Sequence, residues 1–352
     1  MSGIEILKTA DLASLAAFDA IIDVRSPGEF AQDHAPGAIN LPVLSDAERA
    51  EVGTIYVQED RFKARRVGAA YVAKNVGHHL QTALSTQGGG FRPLIYCWRG
   101  GMRSNAMATI LAQVGWRTTV LAGGYMTWRR HVTARLYDGS LPFRLVLLDG
   151  NTGSGKTEVL QRLAAMGRQV VDLEGLAAHR GSLLGGLAGR PQPSQKMFES
   201  RLLEVLDGLD PKRPVIVEAE SSKVGERMVP PALWAAMAEA PRIEITAEPQ
   251  ARARYLVRAY GDIIADRPAL DEALRRLPTP PGKKRLAAWG ELADAGEFEA
   301  LALALMELHY DPAYRRSSRK AARPSLGAVD AGGLEPGDLD AAAAEIARRI
   351  GG

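Results

Sequence analysis

The chain has 352 residues, 46% hydrophobic and 24% charged, the composition of an ordinary globular protein with room for two domains. A net charge of +3 permits an anionic partner without requiring one, and a single cysteine excludes a disulfide framework and any multi-cysteine zinc site. No apolar run has membrane-spanning length and MSGIEILKTADL lacks the form of a signal peptide, so a cytoplasmic, reducing setting without membrane contact is expected.

The predicted elements alternate. AIIDVRS (Ala20–Ser26) reads as a short buried strand ending in polar residues, and HAPGAINLP (His34–Pro42) has the Pro and Gly punctuation of a loop. Residues 46–87 form a polar, helix-prone stretch containing RFKARR. RPLIYC (Arg92–Cys97) is the next strand and RSNAMATILAQV the helix after it. TTVLAGGYMTWRR (Thr118–Arg130) is a strand, a glycine pair and a helix start, and YDGSLP (Tyr137–Pro142) is a linker. A second alternating set follows: FRLVLLDG, GKTEVLQRLAAM, RQVVDLEG, RPVIVEAES, with RIEITAE (Arg242–Glu248) as the last strand. From Pro249 the text is mostly helical, interrupted by PTPPGKK (Pro278–Lys284), and DLDAAAAEIARRI closes it as a terminal helix. Strands alternating with helices predict parallel sheets covered on both faces. The expected fold is therefore α/β: a parallel-sheet domain over 1–137 with an insertion at about 46–87, a second α/β domain over 143–250, and a helical extension and tail over 251–352.

Cys97 falls at the carboxyl end of a predicted parallel strand, where α/β folds place ligands. In the loop that follows, Gly100 and Gly101 allow backbone N–H groups to turn inward, the next helix contributes its N-terminus, and Arg99 and Arg103 add charge. Each of these lowers a thiol pKa and favours the reactive thiolate. A buried cysteine acting as a small hydrophobe would leave this loop chemistry unexplained. The expected site is Cys97 as nucleophile or atom carrier, with an anion loop of Trp98, Arg99, Gly100, Gly101, Met102, Arg103 and Ser104, supported by Asp23 and Arg25.

GNTGSGKT (Gly150–Thr157) fits G-x-x-x-x-G-K-[ST] between a strand and a helix, the context of a P-loop. Gly150, Asn151, Thr152, Gly153, Ser154 and Gly155 would cradle phosphates, Lys156 would reach the terminal ones, and Thr157 would hold Mg²⁺. No hydrophobic run ends in a Walker-B aspartate; Asp172 and Glu218 are the nearest substitutes, for Mg²⁺ or for a structural hydrogen bond. His179 and Arg180 in AHRGS are candidates for phosphate or tRNA contact. RFKARR, WRRH, GKKR and RRSSRK are candidates for gripping nucleic-acid phosphates, although each alone reads more readily as a solvated face. No certain metal site and no tightly bound cofactor are expected.

Four stretches of the first domain resemble the rhodanese family of sulfurtransferases: IDVRSPGEF (Ile22–Phe30), DHAPGAINLP (Asp33–Pro42), IYCWRGGMRS (Ile95–Ser104) and LAGGYMTW (Leu121–Trp128). Cys97 and Arg103 enclose five residues, one more than in the common rhodanese loop; cysteine phosphatases share the wider spacing, which suits a phosphate-sized anion. A rhodanese-like domain ahead of a P-loop domain resembles the bacterial tRNA 2-selenouridine synthases. The likeness extends to Glu48–Val76, DLEGLAAHRGSLLG (Asp172–Gly185), PSQKMFESRL (Pro193–Leu202) and VEAESSKVG (Val217–Gly225), about residues 5–320 in all.

This resemblance implies that selenium replaces sulfur at position 2 of a wobble uridine in the anticodon arm of tRNA. Selenophosphate is the implied donor, and geranyl diphosphate the reagent that first makes an S-geranyl intermediate. Two alternatives stand beside it: an ATP-dependent kinase or sulfurtransferase acting on another substrate, and a non-catalytic binding module.

Overall fold

A computed structural model of the chain describes residues 3–182, 185–187, 189–219, 221–277, 282–312, 314–315 and 324–351. Leu183 and Leu184, Glu220, Pro278–Pro281 and Arg316–Lys320, parts of segments singled out above, lie outside the described residues. The chain forms two compact units. One is residues up to Asp138 together with Glu199–Asp207; the other is Gly139–Phe198 together with residues from Gly208 onward.

In chain order the first unit contains β1 (Glu5–Leu7), α1 (Leu12–Leu15), β2 (Ala20–Asp23), α2 (Pro27–Gln32), β3 (Ala38–Asn40), α3 (Asp46–Gln58) and α4 (Arg61–Gln81). It continues through β4 (Pro93–Tyr96), α5 (Met102–Val114), β5 (Thr119–Leu121) and α6 (Tyr125–Leu136). The sheet is parallel, in the order β1-β5-β4-β2-β3. Every residue of β4 is buried, as expected of a strand covered on both faces. The strand order reverses between β2 and β4, so their carboxyl ends, Asp23 and Tyr96, flank the crevice where such sheets bind ligands. β3 lies inside the segment read as a loop: Ala38–Asn40 pair with Ile21–Asp23, a run too short between Gly37 and Pro42 to give an alternating pattern. The insertion folds as α3 and α4. A capping box between Ser45 and Glu48 starts α3, and Ala64, Val72 and Val76 bury one face of α4.

Glu199–Asp207 completes this unit. Trp128 Nε1 donates to Ser200 Oγ at 3.1 Å, Tyr137 donates to Glu199 at 2.6 Å, Arg129 pairs with Glu199, and Arg135 pairs with Asp207 at 2.9 Å. The WRRH cluster is therefore largely internal. Trp128 is buried and His131 sits 3.6 Å from Asp207, which leaves Arg130 as its exposed cation rather than a patch for phosphates.

The second unit contains β6 (Leu145–Gly150), α7 (Lys156–Ala165), β7 (Gln169–Val171), α8 (Leu173–Ala177), β8 (Val215–Glu218), a short antiparallel pair β9 (Lys223–Val224) and β10 (Arg227–Met228), α10 (Pro231–Glu239) and β11 (Arg242–Thr246). The helix α9 (Gln195–Asp207) contributes its first residues here. Then come α11 (Pro249–Ala259), α12 (Gly261–Ile264), α13 (Arg267–Arg275), α14 (Lys283–Asp294), α15 (Phe298–Leu305), β12 (Ser325–Asp330) and the terminal helix Pro336–Ile350. The sheet is parallel, in the order β12-β11-β6-β8-β7. β6, with all six residues buried, stands at its centre and delivers the P-loop.

The tail departs from the expected helical extension. RIEITAE is not the last strand, because β12 adds a parallel edge to β11. Five of its six residues are exposed, so its only core signal is Val329, and Gly327 interrupts it. The terminal helix buries Leu339, Ala342, Ala343 and Ile346 in one cluster with Val159, Leu160 and Leu163 of α7. Ile346 is fully buried there. Ile346→Ala should destabilise the second unit by about 2–5 kcal/mol, read as a lower midpoint of that unit's transition in urea. An unchanged midpoint would show the tail to be dispensable.

Candidate active site

The first site begins where β4 ends. Cys97 is buried, its Sγ accepting the Gly101 N–H at 3.2 Å and lying 3.3 Å from Ser104 Oγ. Burial pushes the thiol pKa up. The Ser104 hydroxyl and backbone, the Gly101 N–H and the charge of Arg103 outweigh that, and the thiol sits below its ordinary value.

The loop owes its shape to a second chain segment. Tyr125 N–H donates to the Cys97 carbonyl at 2.8 Å and Met126 N–H to that of Trp98 at 3.2 Å. Gly100, at φ +65°, would bring a Cβ to 2.7 Å from the Leu121 carbonyl; a Cβ on Gly124, at φ +57°, would strike the Cys97 carbonyl. The two glycine-containing motifs are thus backbone packed on backbone, which only glycine permits.

Charge is distributed differently from the sequence expectation. Arg103 pairs with Glu29 at 3.0 Å, and Arg49 pairs with the same carboxylate at 3.0 Å. Burial raises the Glu29 pKa, but the two arginines more than reverse this and hold it below the usual range. Arg99 and Met102 are exposed. An open cleft of about 490 Å³ lies beside the loop, lined by Ser26, Glu29, Arg49, Trp98 and Arg103 among others. Asp23 and Arg25 form a fully buried pair at 2.6 Å, and the guanidinium stacks 4.0 Å from the Tyr125 ring centre. They support the floor of the loop and face no solvent.

The second site is the P-loop. Gly150, Gly153 and Gly155 all take positive φ. Lys156 Nζ donates to the carbonyl of Gly150 at 2.7 Å. Asn151 Oδ1 and Ser154 Oγ are buried without a hydrogen-bond partner, polar atoms at the base of a loop shaped to wrap an anion. Thr157 Oγ1 lies 3.0 Å from Glu174 and 3.3 Å from Glu218. Glu218 ends the strand next to β6, the place a Walker-B carboxylate takes. Asp172 instead caps α8, accepting the Gly175 N–H at 2.6 Å, and Glu174, which the sequence reading missed, stands beside Thr157. A hydroxyl and two carboxylates make a hard-oxygen set that fits Mg²⁺, with ligand phosphate and water completing its shell.

Arg180 lines the P-loop cleft, paired with Asp262 at 2.9 Å and placed over the Tyr260 ring. His179 is not among the cleft's lining residues. Burial, then the charge of Arg180, hold its pKa below the ordinary value, and Nδ1 accepts the Gly181 N–H at 3.1 Å. Arg252 was also missed. Its buried guanidinium donates to the Thr152 carbonyl at 2.8 Å and pairs with Asp311 at 2.7 Å. The sequence offered little signal, because Arg252 is one of three arginines in the helix PQARARYLVRA. Of the basic clusters, Arg61, Lys63, Arg65 and Arg66 on α4 and Lys283–Arg285 on α14 are exposed. Among the described residues no helix is long and apolar enough to cross a membrane.

Two parallel α/β units, one holding a tuned thiol in an anion loop and the other a P-loop, define a fusion of a sulfur-transfer fold with a phosphate-binding fold. A family model described as a rhodanese-like domain matches residues 8–131, and one described as the tRNA 2-selenouridine synthase AAA domain matches residues 143–271. The chain is 36% identical over 256 residues to the tRNA 2-selenouridine synthase of Aeromonas salmonicida, covering 72% of this chain and 68% of that protein. It is 35% identical over 277 residues to that of Hahella chejuensis, covering 76% and 69%. Against the protein of Nitrosomonas europaea it is 39% identical over 225 residues, covering 62% of this chain and 58% of that one. The chain belongs to the tRNA 2-selenouridine synthase family. The match spans 58% to 69% of these relatives' own lengths.

Ser104→Ala removes the largest interaction that favours the thiolate. The pH midpoint for alkylation of Cys97 should then move upward, followed by mass spectrometry of the labelled protein across a pH series; a midpoint that stays put would mean the hydroxyl does not tune the sulfur. Gly124→Ala should cost the first unit roughly 2–4 kcal/mol, through strain at positive φ and contact with the Cys97 carbonyl. Thermal unfolding of wild type and variant makes that comparison.

Proposed function

We propose that this chain replaces the sulfur at position 2 of a wobble uridine in tRNA by selenium. Family membership supports the reaction, and the observation that carries the mechanism is the pairing of two anion loops of different chemistry in one chain. The loop around Cys97 takes selenophosphate, and the P-loop takes geranyl diphosphate. In the first step the uridine sulfur attacks the C1 carbon of the geranyl group as its bond to oxygen breaks, and pyrophosphate leaves with the electron pair. That departure needs charge stabilisation and no activated water, which suits a P-loop whose Walker-B position is a glutamate hydrogen-bonded to Thr157. Lys156 and the loop amides bind the diphosphate, and Thr157, Glu174 and Glu218 are the residues that would hold Mg²⁺. The ion, when bound, neutralises diphosphate charge. In the second step the selenium of selenophosphate, held in the loop around Cys97, adds at C2. The C–S bond breaks and geranylthiol leaves, taking up the proton that N3 lost in the first step. Water then cleaves the P–Se bond, releasing phosphate and returning a proton to N3.

For tRNA we propose contact through α4. Arg61, Lys63, Arg65 and Arg66 are exposed there with Phe62, 73% exposed, and Val57 at the end of α3 is 82% exposed, a combination of phosphate-binding charge and apolar surface for bases.

Cys97→Ser should abolish 2-selenouridine while leaving S-geranylation largely intact, as measured by mass spectrometry of tRNA nucleosides; selenation at wild-type level would remove Cys97 from the chemistry. Lys156→Ala should slow geranyl transfer at subsaturating geranyl diphosphate by roughly ten- to a hundred-fold, since one charge-assisted phosphate contact is worth about 1.5–3 kcal/mol. Replacing Arg65 and Arg66 by Ala should weaken tRNA binding and flatten its log–log salt dependence by about 0.7–0.9 for each phosphate no longer neutralised. An unchanged slope would move the tRNA site elsewhere.

A further inference from the structure

An apolar slot opens off the P-loop cleft. The cleft, about 790 Å³, is walled by the loop from Gly150 to Thr157 and by Tyr255, Tyr260 and Tyr310 among others. The slot is far narrower, about 60 Å³, and is lined by Val257, Ile263, Leu270, Phe298, Leu301 and Leu305 among others. Thr152, Leu256, Tyr260 and Tyr310 line both spaces, so the P-loop itself forms part of the slot's mouth. Two polar groups at that mouth are already engaged. Arg252 holds the Thr152 carbonyl, and the Tyr260 hydroxyl shares a 2.6 Å hydrogen bond with Ser182. Beyond the mouth the lining is aliphatic and aromatic, from α11, α12, α13 and α15.

An apolar void of this kind stays dry and rewards a hydrocarbon, while a ribose or a base edge would lose its hydrogen bonds to water and find none in return. Anion loop and dry slot side by side call for one ligand with both characters. We propose that the slot is the tail site of an allylic diphosphate: the diphosphate sits on Gly150–Thr157 and the hydrocarbon chain runs past Thr152 and Leu256 into the slot. This rests on reading the P-loop as the geranyl diphosphate site, and it makes Leu270, Phe298, Leu301 and Ala302 residues that set which chain is accepted.

Calorimetry on the full chain tests it with three ligands: pyrophosphate, dimethylallyl diphosphate and geranyl diphosphate. Each buried tail carbon contributes about fourfold in affinity, so geranyl diphosphate, with its longer tail, should bind on the order of a thousand-fold more tightly than dimethylallyl diphosphate, and pyrophosphate most weakly. In Ala302→Phe, which fills the slot, geranyl diphosphate should fall to the affinity of pyrophosphate while pyrophosphate binds as in wild type. Equal affinities for the three ligands in wild type would overturn the slot and leave the P-loop reading intact. Geranyl diphosphate binding that survives Lys156→Ala unchanged would instead overturn the P-loop reading itself.

Discussion

The guanidinium of Arg252 lies buried between the carbonyl of Thr152 and the carboxylate of Asp311. A buried cation is tolerable only when it is paired and its donors are filled, and here Nε, Nη1 and Nη2 all have partners. The same contacts fix the P-loop backbone from below and tie it to α11 and to the stretch after α15. Gly153 is pressed so closely on α11 that a Cβ there would meet Leu256 at 2.8 Å, and one on Gly155 would meet Leu339 of the terminal helix at 3.0 Å. An anion loop must keep its amides turned toward the ligand, so its rigidity has to come from outside. In this unit it comes from helices that follow the core sheet, and the apolar slot is a by-product of the way they lean on the loop.

The first unit meets the same requirement with glycine against glycine rather than with a buried ion pair. Its thiol is tuned mainly by short hydrogen bonds from Ser104 and Gly101, while the arginines of the cleft share their charge with Glu29. Hydrogen bonds of this kind act at fixed geometry and are little screened by salt, unlike exposed charge.

Both loops were legible in the sequence because their glycines sit at fixed spacings imposed by backbone geometry, and because each follows an apolar strand. The partners of those loops were not. Glu174 stands two residues from Asp172, and nothing in DLEG says which carboxylate turns toward Thr157 and which caps the helix. The strand β12 shows one buried residue in six, so no alternation marks it. WRRH looks like surface charge until Glu199 and Asp207, some 70 residues later, arrive to meet it. The slot was invisible for the same reason: its walls come from the P-loop and four helices, each of which alone reads as ordinary amphipathic packing.

The late arrival of Glu199–Asp207 bears on how the protein is made. When a ribosome has released the first 138 residues, the sheet and the thiol loop are complete in sequence. Yet the Trp128 N–H still lacks its acceptor and Arg129 and Tyr137 lack Glu199. Until Glu199–Asp207 arrives, water takes the place of those partners, and Trp128, fully buried in the finished unit, lacks its cover. The amino-terminal unit therefore reaches its final stability only after two of the five strands of the P-loop unit's sheet, β6 and β7, and the P-loop between them have been translated. Synthesis order and folding order are out of step by some sixty residues, an interval in which a half-closed rhodanese-like unit must wait on the nascent chain.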